Sequence, residues 1–596
     1  KYLRLLLTTT LFLLPSVAHA QIYQPTNRTP VTDNTLGTQV SGTNNNFDIT
    51  GGLSRGQNLF HSFTDFSVPT GGAANFTNPA GNQAIITRVT GNLFSDINGL
   101  VNTNGANFLL INPNGVIFGT DARLNVGKAF VTSTASGIDF VDAAGRTFTF
   151  GVNRAGDVPL LRIDPNVAFN PARLIMGAAI PGIKGIENYG TLKTNNPGQY
   201  IGLIGGNVSF NGGQIDAPGG RVELGGLSVP GAVGLGVEGL LRAEFPTNVT
   251  RGDVSFTNGA RVSVAGSGGG DIAITARNLE ILSTSVVRGG IERGWGTPEA
   301  VAGDIKLDAT GELVIAGSNT AIANSVRLNS NGNGGNITIN AGSFSLRDGA
   351  QIQALTFGQG NAGNVNVKVG GAVDIAGIKD GFISGISSYV DTGTIGNAGN
   401  ITIDAGSFSL RDGARLTAST YGTGNAGNVT VTAKDAVSLV NANIFSPVEA
   451  GGVGKGGNIT IDAGSLSLRD GSQLKTITGS ASDSLPAGKG DAGNIKVKVS
   501  GAIDIAGTKD GVLSGMNSSV QAGAVGKVGN ITIDASSLSL QDSSFIGAAN
   551  LGQGNAGDIN IKTQGNITLS GTNDPQAILN LSSMRLRLIE HRQGNK

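Results

Sequence analysis

The sequence predicts an all-β fold, a right-handed parallel β-helix in which a single-stranded solenoid has a capped N-terminal end. Similar segments recur every 28 to 36 residues in the second half of the chain, a period typical of solenoids and propellers. Apolar and polar residues alternate in short runs, as in strands, without a long helical period. Glycine supplies 95 of the 596 residues and 14% are charged, against about 7% glycine and 25% charged residues in ordinary globular proteins.

The first twenty residues have the pattern of a cleaved secretory signal. A basic start precedes an apolar run at 5–14, and Ala18, His19 and Ala20 form a small-x-small cleavage signature. The apolar run is too short to span a bilayer. We therefore expect the protein to be exported. Because the chain begins with Lys rather than Met, we expect its true start to lie upstream.

Residues 107–120 read NFLLINPNGVIFGT, two apolar runs around a turn. Asn112, Pro113, Asn114 and Gly115 suit the four successive positions of a type I or type II β-turn. Tight hairpins favour the primed turn types instead, because their twist matches that of the strands. We therefore predict that this turn is a corner between two faces of the coil.

Three stretches around this turn, 51–76, 86–92 and 105–134, resemble the filamentous-haemagglutinin-type secretion domain of two-partner-secretion exoproteins. They read GGLSRGQNLFHSFTDFSVPTGGAANF, ITRVTGN and GANFLLINPNGVIFGTDARLNVGKAFVTST. The Asn-Pro-Asn-Gly turn with aliphatic flanks is that family's secretion motif, here Asn112 to Gly115. Residues 203–226 resemble the β-helical continuation of long, cyanobacterial-type members. The family's second motif, Asn-Pro-Asn-Leu, has no clean match in this chain; Asn78, Pro79 and Ala80 are the nearest, and no role is assigned to them.

The resemblance implies a route of export and a partner. Members cross the inner membrane by their signal peptide, and an outer-membrane β-barrel transporter recognises the N-terminal domain in the periplasm. The chain then folds at the cell surface, or beyond it, outside a Gram-negative-type envelope. No cofactor is implied. A net charge of zero argues against nucleic acid as a partner, because phosphate binding requires a basic surface.

The repeats define the coil. The segments GNITINAGSFSLRDGAQI, GNITIDAGSFSLRDGARL, GNITIDAGSLSLRDGSQL and GNITIDASSLSLQDSSFI begin at Gly335, Gly399, Gly457 and Gly529, with a second unit type interleaved between them. From Gly335 onward, successive starts are 28, 36, 28, 30, 36, 36 and 28 residues apart. Within each unit, period-two alternation marks three short strands separated by corners. Three strands per turn indicate a parallel β-helix, with the extra residues forming loops at one corner.

A ladder of asparagines is predicted along one corner of this coil, with amides that hydrogen-bond along the axis. Aliphatic side chains point inward and stack from rung to rung at about 4.8 Å. With rungs of about 25 residues, we expect about twenty turns and a rod on the order of 100 Å long. The predicted ladder residues are Asn336, Asn364, Asn400, Asn428, Asn458, Asn494 and Asn530.

The predicted domains follow from these patterns. Residues 21–50 are expected to cover the first rung, since an open sheet edge invites aggregation. At the other end, Met584 to Leu588 alternate apolar and basic residues, which fits either a charged cap or a ragged end. The divisions are a signal peptide (1–20), a secretion domain (21–150), a β-helix continuation (151–330), a repeat β-helix (331–575) and a tail or cap (576–596).

Residues for catalysis or metal binding are scarce. His61 lies beside Phe60 and Phe63, where we expect a structural role rather than a general base. Three histidines and no cysteine predict no metal site. A calcium roll near Gly270 would need a motif that recurs every nine residues, and none does.

Repeated acids support the main alternative, a secreted polysaccharide-acting enzyme on the same fold. Asp-Gly is turn chemistry, however, and its recurrence in alternate units indicates selection by the rung rather than by one active site. We therefore predict a protein that is not an enzyme. A toxin stem, the third class, would need a distinct C-terminal effector domain, which the sequence does not display. The repeated acids are Asp348, Asp412, Asp470 and Asp542, with the pairs Asp374 and Asp504, and Asp380 and Asp510.

Two short features have both a functional and a structural interpretation. Arg251, Gly252 and Asp253 spell an integrin-type tripeptide, yet Gly252 and Asp253 also fit the rung-start pattern. Trp295 marks a loop that could bind sugar or pack against the rod. The sequence as a whole predicts a secreted or surface-displayed exoprotein. We expect an adhesin-like, monomeric rod that contacts a cell-surface or glycan receptor.

Overall fold

A computed structural model describes residues 23–78, 81–141, 147–152, 170–176, 185–236, 242–571 and 585–590. Within these ranges the regular elements are all β-strands, and most stack in parallel on three faces of one coil. The predicted all-β fold, a parallel β-helix, is therefore confirmed. The predicted signal peptide, residues 1–20, lies outside the described residues.

The first face receives one strand from each turn. Seventeen of its nineteen described strands form a continuous parallel stack. The other two, Val31–Thr32 and Leu53–Arg55, pair antiparallel with the first strand of the stack. The seventeen are Asn58–Asp65, Ala84–Val89, Asn107–Ile111, Ala129–Ser133, Tyr200–Gly205, Arg221–Gly226, Asp271–Ala276, Ile305–Ala309, Ile337–Ala341, Val365–Val369, Ile401–Ala405, Val429–Ala433, Ile459–Ala463, Ile495–Val499, Ile531–Ala535, Asp558–Thr563 and Arg585–Glu590.

The second face follows the first after a tight corner, which we call the first corner. Its neighbouring strands are parallel and in register, as where Phe344 lies beside Val373. Its described strands are Ser95–Ile97, Val116–Phe118, Ile186–Asn188, Val208–Asn211, Val254–Thr257, Leu279–Leu282, Glu312–Ala316, Ser343–Arg347, Ala372–Ala376, Ser407–Arg411, Ala436–Val440, Ser465–Arg469, Ala502–Ala506, Ser537–Leu540 and Ile567–Leu569.

The third face closes each turn and has two sections. The N-terminal section contains Gln39–Thr43, Asn46–Thr50, Ala73–Phe76, Leu100–Asn102 and Arg123–Asn125. The longer section contains Thr191–Lys193, Gln214–Asp216, Arg261–Ser263, Val286–Ile291, Ala321–Val326, Gln351–Gln353, Gly385–Ser387, Arg415–Thr417, Asn443–Phe445, Gln473–Thr478, Gly515–Val520 and Phe545–Asn550. The connection back to the first face, the third corner, contains the Gly-Asn segments of the repeats.

The core runs through the coil without a break because inward positions alternate with outward ones. Ile337 and Ile339 are fully buried, as are Leu346 and Ile352 on the next two faces of the same turn. Each stacks on its equivalent in the following turn, for example Ile337 on Val365. Such nearest-neighbour stacking lets the fold extend turn by turn.

The N-terminal end of the coil is covered by antiparallel strands. Gln39–Thr43 and Asn46–Thr50 form a hairpin, and the second of them pairs in parallel with Ala73–Phe76 of the coil. Val31–Thr32 covers the edge of the first face in the same way. Capping strands of this kind remove the open edge that favours aggregation.

An outer antiparallel sheet covers part of the first face. Its aromatic side chains pack edge-on against Phe60, with ring centroids 5.6 Å away for Phe140 and 5.0 Å for Phe150. The early first-face strands are thus buried on both sides, and the predicted boundary at residue 150 falls inside this sheet. Its strands are Gly137–Val141, Thr147–Gly151, Asn170–Met176, Gly231–Gly236 and Arg242–Glu244.

Two short hairpins leave the second corner, between the second and third faces. One pairs Ile378–Lys379 with Phe382–Ile383, and the other pairs Thr508–Lys509 with Val512–Leu513. The cap, the outer sheet and these hairpins use residues outside the coil. The described part of the first face therefore has seventeen stacked strands rather than about twenty, which corresponds to a rod of about 77 Å.

Candidate functional site

The Asn112 to Gly115 turn joins the first face to the second at the first corner. The Gly115 amide donates to the Asn112 carbonyl at 3.1 Å, which closes the turn. Gly115 has φ of +110°, whereas Asn114 has no positive φ. A type II turn requires a positive φ at its third residue, so this turn is type I. It lies at a corner and makes no hairpin.

Both asparagine side chains point back to the preceding turn of the coil and are buried. The Asn112 amide Nδ2 donates to the Leu93 carbonyl and to Ser95 Oγ, each at 3.0 Å. The Asn114 amide Nδ2 donates to the Gly91 carbonyl at 2.8 Å. Asn112 is 0% exposed and Asn114 is 6% exposed. In the folded state these side chains fasten one rung to the next.

A buried polar cluster under the outer sheet was not singled out from the sequence. Arg88 is 1% exposed, and it donates to Ser62 Oγ at 2.9 Å and to the Gly151 carbonyl at 2.7 Å. Asp33 accepts from Ser62, Thr35 and Thr90, and these hydrogen bonds lower the pKa of its carboxyl despite burial. The only signal in the sequence was a basic residue inside the apolar strand ITRVT.

His61 belongs to the interior of this domain. Its side chain is 0% exposed, Nδ1 lies 3.2 Å from Thr38 Oγ1, and its ring lies against Phe63 and Phe76. Nε2 has no hydrogen-bond partner among the described residues. Burial lowers the pKa of His61 to about 4, because an apolar surrounding disfavours the charged imidazolium. The structure places it as a neutral core residue.

The seven predicted ladder asparagines lie one above another at the third corner. In each step, the side-chain oxygen of one residue accepts the backbone amide of its equivalent in the next turn. From Asn336 to Asn364 that distance is 3.1 Å, and the Asn364 side-chain amide donates to the same oxygen at 2.9 Å. The column begins upstream with Asp271 and Asp304 and continues to Asp558. Acids at these positions keep the acceptor and lose the donor.

A second asparagine column runs three residues before the first, and sequence reasoning missed it. Asn361 donates both its backbone and side-chain amides to Asn333 at 3.0 Å. Asn397 and Asn425 continue the pattern, after which Lys455 donates its backbone amide to Asn425. The regular spacing of three residues from the first column was the available signal.

Glycines between and beside these columns allow the turns to lie close together. A Cβ atom at Gly363 would lie 1.9 Å from the carbonyl oxygen of Gly335, and one at Gly399 would lie 1.9 Å from that of Gly363. Such contacts exclude any other residue without a shift of the backbone. The third corner is thus built from stacked glycines and hydrogen-bonded asparagines.

The integrin-type tripeptide is held within the fold. Arg251 is 7% exposed and forms a salt bridge with Asp308 at 3.3 Å. Asp253 pairs with Arg277 through two hydrogen bonds, at 2.9 and 2.5 Å. A Cβ at Gly252 would lie 1.4 Å from the Gly206 carbonyl oxygen. These contacts account for all three residues structurally.

The repeated acids are distributed along the rod, and two of them, Asp374 and Asp412, pair with the same Arg411. Asp348, Asp412, Asp470 and Asp542 are in left-handed turns, with φ between +52° and +59°. Asp374 pairs with Arg411, Asp504 pairs with Arg469, and Asp380 and Asp510 are at the tips of the hairpins. Within the described part of the chain, no group of three His, Cys, Asp or Glu side chains could hold a metal ion.

Two further findings concern membranes and sugar. Among the described residues, no helix is long and apolar enough to cross a membrane.

The Trp295 side chain is 50% exposed, and the Trp295 backbone amide and carbonyl are hydrogen-bonded to Glu292 and Asn331. The loop is therefore fixed to the rod by its backbone while the indole faces solvent.

Comparison with known proteins gives one family match. Residues 28–274 match the family model described as TPS secretion domain. The chain is similar to the HMW1 secretion domain from Haemophilus influenzae, with 16% identity, a TM-score of 0.40, and coverage of 75% of this chain and 96% of that one. It is also similar to a filamentous hemagglutinin secretion domain, with 14% identity, a TM-score of 0.25, and coverage of 62% and 100%. No curated protein matches it.

Proposed function

We propose, on the premise that this chain is an exoprotein of the two-partner secretion type with a TPS secretion domain at residues 28–274, that its β-helix is an adhesin-like rod. As such an exoprotein it is secreted or surface-exposed by way of the periplasm of a Gram-negative cell. Its export partner is an outer-membrane transporter of that pathway. The proposal concerns what the exported rod then does, which is to hold the cell to another surface.

The observation that carries the proposal is the unbroken coil between Arg251 and Ser570. Throughout that stretch the described strands keep their register from turn to turn, and no group of three acids or histidines interrupts it. A long, regular, polar surface favours many equivalent weak contacts, whose combined strength exceeds that of any one of them. This supports surface binding rather than chemistry in a single pocket.

The buried asparagines suggest how the secretion motif acts. Since Asn112 and Asn114 face the preceding rung, a transporter meets their side chains only before the domain folds. We propose that their role in the folded domain is to lock the first corner, so that early turns form once the chain emerges. Later turns then fold onto the turns already formed, because each contacts mainly its neighbours. A folded turn outside the cell opposes movement of the chain back through the transporter. We also propose that the rod is a monomer and that it binds a cell-surface or glycan receptor.

Adhesion is tested on cells that export the full chain. Cells with the transporter and the chain are compared with cells that carry the transporter alone, on abiotic surfaces and on layers of other cells. We expect more attached cells when the chain is present, and purified chain in solution should compete. Equal attachment by the two strains, with the chain verified outside the cell, would contradict the proposed function.

A further inference from the structure

A row of aromatic side chains lies on the outside of the rod where the third face ends. Phe357, Tyr389 and Tyr421 belong to three successive turns, and we call them the aromatic stripe. The ring centroids are 6.0 Å apart for Phe357 and Tyr389, and 5.7 Å apart for Tyr389 and Tyr421. The rings meet at 83° and 76°. The stripe therefore runs parallel to the rod axis.

The stripe differs from the aromatic residues of the core. Phe344 and Phe408 point inward and are 1% exposed, whereas the three stripe rings are half-buried on the outer surface. Neither tyrosine hydroxyl has a hydrogen-bond partner among the described residues. Burial raises the pKa of Tyr389, and burial together with Glu449 raises that of Tyr421 to about 12. Both hydroxyls thus stay protonated at neutral pH and can donate to a ligand.

Carboxylates alternate with the rings along the same column. Backbone bridges align Thr356, Val390, Thr420 and Val448 in successive turns. The next residue in each turn is therefore, in order, Phe357, Asp391, Tyr421 and Glu449.

These carboxylates are available to a ligand. In the described structure, neither the Asp391 nor the Glu449 carboxylate has a hydrogen bond or a salt bridge. Burial raises the pKa of Glu449 and Lys475 opposes it. A half-buried acceptor without a partner loses hydrogen bonds to water that a ligand hydroxyl can replace.

The column repeats every second turn, which sets the kind of ligand that fits. At this position of the rung, Phe357 and Tyr421 lie two turns apart, as do Asp391 and Glu449, at about twice the rung spacing, or roughly 9.6 Å. The Tyr389 ring lies between those of Phe357 and Tyr421. A β-1,4-linked polysaccharide presents the same face of its sugars at every second residue, over a comparable length. Apolar sugar faces pack on aromatic rings, and sugar hydroxyls donate to carboxylates. Two carboxylates in the column also disfavour an anionic polymer.

We propose that the aromatic stripe, with Asp391 and Glu449, binds an extended, uncharged β-1,4-linked polysaccharide along the rod axis. The inference rests on the proposed adhesin function and assigns it a ligand class and a location. The ligand lies lengthwise across four turns, from Phe357 to Glu449. It contacts the rings of the aromatic stripe, with tyrosine hydroxyls and carboxylates at its edges.

Calorimetry with the purified full chain tests the site. The probes are the hexasaccharides of cellulose, xylan and mannan, with maltohexaose as the α-linked control and hexagalacturonate as the anionic control. We expect at least one of the three β-1,4-linked probes to bind and both controls to bind at least tenfold more weakly. Preference for either control, or no binding of the β-1,4-linked probes, would overturn the inference.

Variants locate the binding on the rod. Tyr389→Ala/Tyr421→Ala should weaken binding by about tenfold or more, which corresponds to about 1.4 kcal/mol. Glu449→Gln and Tyr421→Phe keep the shape of the site and should weaken binding severalfold without a change in thermal stability. Phe382→Ala on a hairpin and Trp295→Ala on its loop are the controls, because both residues are exposed aromatics elsewhere. Equal losses in the controls would overturn the assignment.

The same variants separate this inference from the proposed function. If cells that display the double variant attach to surfaces as well as wild-type cells do, and no β-1,4-linked probe binds, the polysaccharide site is wrong and adhesion stands. If the wild-type chain binds a probe but gives no attachment of cells, the proposed function fails while the site is retained.

Discussion

Gly363 lies so close to Gly335 in the preceding turn that a Cβ atom on Gly363 would be 1.9 Å from the Gly335 carbonyl oxygen. The same relationship recurs along the third corner, where each glycine faces the carbonyl of its predecessor. This contact determines how closely successive turns pack at that corner. It makes the abundant glycine of this chain a requirement of the coil itself.

Replacement of a corner glycine should therefore destabilise the rod. Gly399→Ala would place its Cβ 1.9 Å from the Gly363 carbonyl oxygen, and we expect a loss of about 1–3 kcal/mol in the free energy of unfolding, as for overpacked cores. Gly370→Ala is the matched control, because nothing lies within 4 Å of its Cβ position. Denaturant unfolding of both variants measures the difference. Equal stability of the two would show that the corner is not tightly packed.

The asparagine ladder should contribute through its acceptor. Asn400→Ala removes the oxygen that accepts the Asn428 backbone amide at 2.8 Å and its side-chain amide at 3.1 Å. We expect a loss of about 0.5–1.5 kcal/mol, the net contribution of a typical hydrogen bond, because water can reach the exposed donors that lose their partner. Asn400→Asp keeps the acceptor oxygen, as Asp304 does upstream. It should therefore lower the free energy of unfolding by less than Asn400→Ala does.

The exposed residue Asn366, which has no side-chain hydrogen bond in the described structure, is the control for the ladder. Asn366→Ala should change the unfolding free energy by at most about 0.5 kcal/mol. A loss as large as that of Asn400→Ala would mean that the ladder makes no particular contribution.

The secretion domain should lose stability in mild acid because of His61. Its pKa is about 4 in the folded chain and about 6.5 when unfolded, so the unfolded state binds more protons between these values. Stability present above pH 6.5 should thus fall as the pH decreases towards 4, by roughly 3 kcal/mol in total. His61→Asn removes this titration. The measurement is the pH dependence of unfolding for both proteins, and parallel curves would contradict a buried neutral histidine.

The turn from Asn112 to Gly115 should matter for folding as well as for export. Asn112→Ala/Asn114→Ala removes buried hydrogen bonds to Leu93, Ser95 and Gly91, and we expect the secreted fraction to fall by severalfold. Asn92→Ala is the control, because Asn92 lies between Gly91 and Leu93 in the preceding corner but its side chain is exposed. Immunoblots of the medium and the cells give the ratio. Equal secretion of the two variants would mean that the turn is dispensable.

The repeated part of the fold was predictable because its signals are local and recur. Ile337 and Ile339 show the period-two alternation, and the spacing of Gly335 and Gly363 gives the length of a turn. The Asn112 corner followed from turn chemistry alone. Each of these features depends on residues next to one another in sequence.

Features that depend on distant residues could not be predicted in the same way. The outer sheet joins Gly137–Val141 to Asn170–Met176 and Gly231–Gly236, and no repeat connects those segments. The hairpin at 378–383 has an Asp-Gly signal typical of a two-residue turn, but the surrounding repeats suggested a corner. The aromatic stripe was hidden because its residues do not share one position in the repeat. Phe357 and Tyr421 follow the aligned residues Thr356 and Thr420, whereas Tyr389 precedes the aligned residue Val390.

Export with and without the partner transporter tests the account most directly. The wild-type chain is expressed in a Gram-negative host that contains, or lacks, the outer-membrane transporter of its two-partner pathway. The chain should be found at the cell surface or in the medium only when the transporter is present, in a protease-resistant form rich in β-structure. Equal amounts outside the cell without the transporter, or an exported chain that is not β-helical, would contradict the account.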